Sequence, residues 1–212
     1  AISYWVPILP FPYTASDAKG FFNLLQDNPH RQVWAITLKE EFIGLIEEYP
    51  NFGFWLDPAF WGQGLISEAA DLVLKKYFSD PQASPLLASV RLQNQRSMRV
   101  LAKNGFAPNG PPVASYSKAL RQSVPLQPMA LTPDQWHFLN LFSSKRSGCK
   151  SFRLPKYIKM RCLAALLKSK LHGTSRLFHI LCRAASWGGL LRRRAGKARG
   201  MDCLRLRIKP RT

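Results

Sequence analysis

The chain has 212 residues and a formal net charge of +19, a length that allows one domain with a sizeable core plus an appendage. The charge is confined to one end: residues 1–136 carry 11 Lys and Arg against 11 Asp and Glu, whereas residues 137–212 carry 20 against the single acid Asp202. The first part therefore offers no charge argument for a polyanion partner, and no apolar run reaches the roughly 20 residues of a membrane-spanning helix.

In chain order, Ala1 to Pro12 lacks both a basic start and a long apolar segment, so no secretory signal is expected. Leu9-Pro10-Phe11-Pro12-Tyr13 reads as extended, because each proline drives its predecessor out of the α region. Thr14 with Asp17 three residues on is a capping-box-like start for a helix through about Leu25, with Ala18, Phe21, Phe22 and Leu25 on one face. Val33 to Leu38 and Phe42 to Ile46 read as strands joined by the polar turn Lys39-Glu40-Glu41, and Phe52 to Leu56 as a third strand ended by Asp57-Pro58. A glycine-containing loop, Phe60 to Gly64, leads into a helix from Ser67 to Phe78. Ala69, Leu72, Val73 and Tyr77 form its expected buried stripe, and Lys75 and Lys76 point away.

Leu86 to Leu92 is a further expected strand, and Ser97 to Lys103 a short helix closed by Asn104-Gly105. Ala114 to Leu120 and Val124 to Leu131 suit a closing hairpin. The expected class is α/β, with a mixed, mostly antiparallel sheet flanked by helices, and a boundary near Trp136. Beyond it acids vanish, strand signals stop, and Tyr157 to Leu171 reads as a cationic helix with Leu163, Leu166, Leu167 and Leu171 on its apolar side. This basic extension, residues 137–212, is expected to be partly helical or disordered. All four cysteines, Cys149, Cys162, Cys182 and Cys203, lie in it, and a cysteine-free first part fits a reducing cytoplasm. No CxxC or HxxxH pair joins these cysteines to His172 or His179, so no metal is expected.

The chemistry-bearing segment is Phe52-Gly53-Phe54-Trp55-Leu56-Asp57-Pro58-Ala59-Phe60-Trp61-Gly62-Gln63-Gly64-Leu65-Ile66-Ser67-Glu68-Ala69-Ala70. Strand, glycine loop and helix follow in that order. Backbone N–H groups converging there, beside the positive end of a helix, suit a pyrophosphate. The same spacing also makes an ordinary tight turn. A second segment, Asn94-Gln95-Arg96-Ser97-Met98-Arg99-Val100-Leu101-Ala102-Lys103-Asn104-Gly105-Phe106, starts with residue types that also simply begin helices.

Together these segments resemble the acetyl-CoA signature of the GNAT superfamily of N-acetyltransferases, in particular its RimJ/RimL-like branch, over residues 8 to 136. The resemblance implies that backbone amides from Gly62 through Gln63, Gly64 and Leu65 to Ile66 hold the pyrophosphate of coenzyme A. Trp61 stands in the branch's usual place, and Ile66 where a small residue is commonest. The strand at Trp55 and Leu56 would pair with the pantetheine amides, Asn94 would lie beside the pantetheine, and Ser97 would protonate the departing thiolate. The implied reaction is direct attack of a primary amine, on a protein N-terminus or a small molecule, on the thioester of acetyl-CoA. A backbone N–H near Leu56 is the oxyanion candidate. Glu48, with Glu47, is the general-base candidate at a strand end beside the acceptor cleft, and a water chain is the alternative. The family implies a further strand ahead of the Pro-Tyr-Thr helix, for which Ala1 to Trp5 leaves little room. Two other readings stay open: a relative that binds coenzyme A weakly and catalyses nothing, and a basic protein whose tail contacts nucleic acid or an anionic membrane.

Overall fold

The computed structural model describes residues 2–39, 41–146 and 158–162. After a single-turn helix α1 (Ile2–Trp5), helix α2 (Ala15–Asp27) opens with the expected capping box. The Thr14 hydroxyl accepts from the Asp17 N–H, and the Thr14 N–H donates back to the Asp17 carboxylate at 2.8 Å. Strands β1 (Gln32–Leu38) and β2 (Glu41–Tyr49) form an antiparallel hairpin, and β3 (Gly53–Leu56) adds to the far edge of β2. A 3-10 turn at Pro58–Phe60 leads through the glycine loop to α3 (Leu65–Tyr77). Then come β4 (Leu86–Arg91), α4 (Gln95–Lys103), β5 (Ala107–Pro108), the hairpin β6 (Val113–Ser117) with β7 (Gln122–Leu131), α5 (Pro133–Arg146) and β8 (Ile158–Cys162).

The strands make two sheets, one ordered β3-β2-β1-β8 and one ordered β4-β7-β5 with β6 also paired to β7. Period-two alternation explains how the first sheet is covered on both faces. Val33 and Ala35 of β1 meet Ala18, Phe22 and Leu25 of α2, while Ile36 joins the main core with Val73 and Leu74 of α3. A bulge opposite Ile36 and Thr37 skips Ile43, which sends both Ile43 and Ile46 into the main core. Each such fully buried aliphatic side chain contributes about 1.5–3 kcal/mol. The main core continues into the second sheet through Leu86, Ala88, Met129 and Leu131.

Two expectations change. On α3, Leu74 is fully buried where Leu72 was expected, because a helix lying against two sheets buries a stripe wide enough to take Leu65, Ala69, Ala70, Val73 and Leu74. The stretch expected to be a cationic helix from Tyr157 is a strand over Ile158–Cys162, paired antiparallel with β1 from Trp34↔Cys162 to Leu38↔Ile158. Its sequence, Ile-Lys-Met-Arg-Cys, alternates apolar and cationic residues, and the outer edge of β1 has backbone groups to satisfy. Leu163, Leu166, Leu167 and Leu171 lie outside the described residues, as do His172 and His179. The boundary expected near Trp136 falls inside α5, where Trp136 is buried and stacks on Phe78 with ring centroids 5.5 Å apart. Among the described residues, no helix is long and apolar enough to cross a membrane, and no group of three or more potential metal ligands occurs.

Candidate active site

The site forms where the two sheets part. At the start of β3 the Phe52 N–H donates to the Leu87 carbonyl at 2.7 Å, joining sheet to sheet. At its end the Asp57 N–H donates to Ile43 of β2, also at 2.7 Å. Backbone polar groups alternate along a strand, so residues 53, 55 and 57 turn theirs to β2 and residues 54 and 56 turn theirs toward β4. Beyond Phe52 the sheets diverge, and a cavity of about 1010 Å³ opens along that edge. It is lined by Phe54, Trp55 and Leu56 of β3, by the loop and first turn of α3, by Ser89 and Val90 of β4, and by the start of α4.

The glycine loop has the local geometry its sequence suggests. Gly62 and Gly64 sit at φ +78° and +79°, a region that side-chain-bearing residues rarely adopt, and a Cβ added to either would meet nothing within 4 Å. Gly64 caps α3 without any side-chain hydrogen bond; its carbonyl accepts from the Ser67 and Glu68 N–H groups, which leaves the N–H groups of the cavity-lining Leu65 and Ile66 without an intrahelical partner. Leu65 is buried and Ile66 half-buried against the main core, which takes up the bulk of the isoleucine. The Trp61 indole N–H donates to the Leu56 carbonyl at 2.7 Å, and the Asp57 carboxylate accepts from the Ala59 N–H at 2.8 Å. These two bonds fix the turn between β3 and the loop.

Of the expected cofactor residues, Trp55, Leu56, Trp61, Gly62, Gly64, Leu65, Ile66 and Asn94 line this one cavity, together with Ser97. Gln63 does not line it; its exposed side chain turns back to the Ala59 carbonyl at 3.3 Å. Asn94 is the N-cap of α4, its side-chain oxygen accepting from the Ser97 N–H at 3.2 Å, so it starts the helix and faces the cavity at once.

Glu48 is not brought to the cavity. It is 3% exposed, accepts from the Trp34 indole at 3.0 Å and pairs with Lys76 at 3.2 Å. Its neighbour Glu47 pairs with Arg31 at 2.6 Å; burial pushes the Glu47 carboxyl up, and the Arg31 guanidinium offsets this only in part. Both were expected at a strand end beside the acceptor cleft. β2 instead continues to Tyr49, which places them inside the sheet.

Two groups of lining residues lie outside the expected site. Arg96 and Arg99 reach the cavity from α4, Arg96 with its guanidinium over the Trp61 ring at 5.1 Å from the centroid. Their spacing of three residues on one helical face was the available signal. Ile2, Trp5 and Val6 form an apolar wall. Buried Arg91 of β4 anchors it by donating to the Tyr4 carbonyl and lying over the Tyr4 ring at 4.4 Å.

A strand edge left open beside a glycine loop at a helix start suits an extended ligand that carries amides and a phosphate group, and comparison with known proteins gives the chain a family. The acetyltransferase (GNAT) domain model matches residues 2–107, half of the chain, and the chain belongs to this family. It is similar to the ribosomal-protein-serine acetyltransferase of Escherichia coli (strain K12), 26% identical over 95 residues that cover 41% of this chain and 53% of that protein. It is also similar to the probable N-acetyltransferase YjcK of Bacillus subtilis (strain 168), 30% identical over 94 residues that cover 44% and 51%. The chain thus spans about half the length of the curated relatives it matches.

Among solved structures, the apo RimL ribosomal L7/L12 alpha-N-protein acetyltransferase superposes with TM-score 0.52 at 18% identity, covering 62% of this chain and 76% of that one. Mycobacterium smegmatis RimJ in complex with CoA-disulfide superposes with TM-score 0.54 at 21% identity, covering 66% and 76%. These likenesses establish the fold: mixed α/β with antiparallel sheets flanked by helices.

Proposed function

We propose that the protein transfers the acetyl group of acetyl-CoA to a primary amine by direct attack in a ternary complex. The observation that carries this is the edge of β3 at Phe54 and Leu56, whose N–H groups are left open by β2 and by the Trp61 indole on the Leu56 carbonyl, along the cavity that the Gly62–Ile66 loop also lines. An amide-bearing arm such as pantetheine can pair with that edge, as an added strand would. The loop N–H groups and the positive end of α3 suit the pyrophosphate.

In this reading the amine nitrogen bonds to the thioester carbonyl carbon, and the Leu56 N–H stabilises the developing oxyanion. The C–S bond then breaks and Ser97 protonates the leaving sulfur. With Glu48 engaged by Trp34 and Lys76, the attacking amine loses its proton to water in the cavity. For the acceptor, the lining holds an apolar wall from Ile2, Trp5 and Val6 and, among the described residues, no carboxylate. That favours an amine on a neutral or acidic carrier, such as a protein N-terminus or a small amine, over a polycation. Isothermal titration with acetyl-CoA, followed by thiol release with a panel of amines, tests the reading. Absence of acetyl-CoA binding refutes it in favour of an inactive relative.

The charge asymmetry supports an additional role for residues 137–212, in which their 20 cations dock the enzyme on nucleic acid or an anionic membrane. Binding of the full chain to RNA or to phosphatidylserine vesicles that weakens as salt rises is the expected result.

A further inference from the structure

Coenzyme A ends in a nucleotide with two distinct phosphate groups, the internal pyrophosphate and a 3′-phosphomonoester. The Gly62–Ile66 amides account for the first, and the loop offers no side-chain cation for the second. The cations that line the cavity are Arg96 and Arg99, three residues apart on one face of α4, and no Asp or Glu lines it among the described residues.

Arg96 is exposed and has one aromatic neighbour. Its guanidinium lies over the Trp61 ring at 5.1 Å from the centroid, and that ring is pinned by the indole hydrogen bond to the Leu56 carbonyl at 2.7 Å. A guanidinium drawn to an aromatic face keeps N–H groups free, and their fork matches two phosphate oxygens. A side chain already seated also loses less rotamer freedom when the ligand arrives. We propose that Arg96, seated on Trp61 and joined by Arg99, takes the 3′-phosphate of coenzyme A and so selects coenzyme A over its dephospho form. The proposal rests on the acetyl-CoA reading of the cavity. It assigns the Trp61 ring a task beyond the loop, since the indole couples the acetyl-presenting end of β3 to the cation that reads the far end of the cofactor.

The test titrates the full chain with acetyl-CoA and with acetyl-dephospho-CoA, which differ only in that phosphate. The parent is expected to prefer acetyl-CoA by on the order of 10-fold at low salt, a preference that shrinks as ionic strength rises. R96Q should bring the two affinities together by weakening acetyl-CoA alone. W61L, which removes the seat and leaves Arg96, should also lower the preference. An R96Q variant that weakens both ligands equally, or that keeps the parent's preference, overturns the assignment while leaving the acetyl-CoA reading intact. A W61L preference equal to the parent's overturns the seat. A parent that binds neither ligand overturns the assignment and the acetyl-CoA reading together.

Discussion

Replacing Gly64 with valine separates a loop that binds phosphate from a loop that merely turns. At φ +79° a side chain with a Cβ costs about 1–2 kcal/mol in backbone strain. No protein atom lies within 4 Å of the added Cβ, so packing adds nothing to that cost. Against the usual 5–15 kcal/mol of a domain this leaves the protein folded, with a melting temperature lowered by roughly 2–8 °C. Binding should suffer far more, because the side chain enters the open space over the first turn of α3. A hydrogen bond to a charged group is worth about 1.5–3 kcal/mol, so excluding one pyrophosphate contact weakens acetyl-CoA by about 10- to 150-fold. Isothermal titration read beside a thermal melt makes the measurement, with Gly64→Ala as the graded control. If Gly64→Val melts a few degrees lower yet binds acetyl-CoA as tightly as the parent, the glycine serves turn geometry alone and the loop assignment is wrong.

Three further outcomes are expected. Ser97→Ala should lower kcat, by up to about 10²–10⁴-fold, with acetyl-CoA affinity unchanged, since Asn94 caps the Ser97 backbone and not its hydroxyl; an unchanged kcat removes Ser97 from the mechanism. Thr14→Ala should cost about 1 kcal/mol at neutral pH by chemical denaturation. The Thr14 hydroxyl and N–H hold the Asp17 carboxyl below its ordinary range, so the part of this cost that the hydroxyl's bond to the carboxylate carries is present above about pH 4 and is lost as pH falls further, while the bond accepted from the Asp17 N–H remains; a cost constant down to pH 2 refutes a contribution from that carboxylate. A chain ending at Arg146 should keep its acetyl-CoA affinity but lose β8 from the edge of β1, and so self-associate with rising concentration in light scattering; a monomer that cannot bind acetyl-CoA would make the later residues part of the catalytic unit.

What was legible in the sequence follows from which forces are local. The helices α2, α3 and α4, strands β1 to β4 and the β6–β7 hairpin come out of periodicity, capping and glycine placement, all set within a few residues of one another. Helix α1, four residues long, has too little period to read, and β8 is decided elsewhere. Ile158 to Cys162 alternates like a strand but sits in a run of cations, and only the open edge of β1 settles the matter. Glu47 and Glu48 show the same limit. Two adjacent acids look solvated until Arg31 and Trp34 arrive from β1 and its approach and Lys76 from α3. Arg96 and Arg99 were visible as a helical pair, yet nothing local ties them to Trp61, thirty-five residues before Arg96.

The site itself depends on a feature that no single segment encodes, the divergence of two sheets after one shared hydrogen bond at Phe52. An unpaired strand edge is ordinarily a liability that proteins cover or twist away. Here the edge at Phe54 and Leu56 stays open because other contacts hold its surroundings. β2 satisfies the opposite edge of β3, the Trp61 indole takes the Leu56 carbonyl, and Arg91 anchors the apolar wall across the gap. With those supports in place the free N–H groups face a ligand-sized cavity instead of another chain. An edge kept open by hydrogen bonds on every side but one is prepared for an amide-bearing ligand on the side that remains.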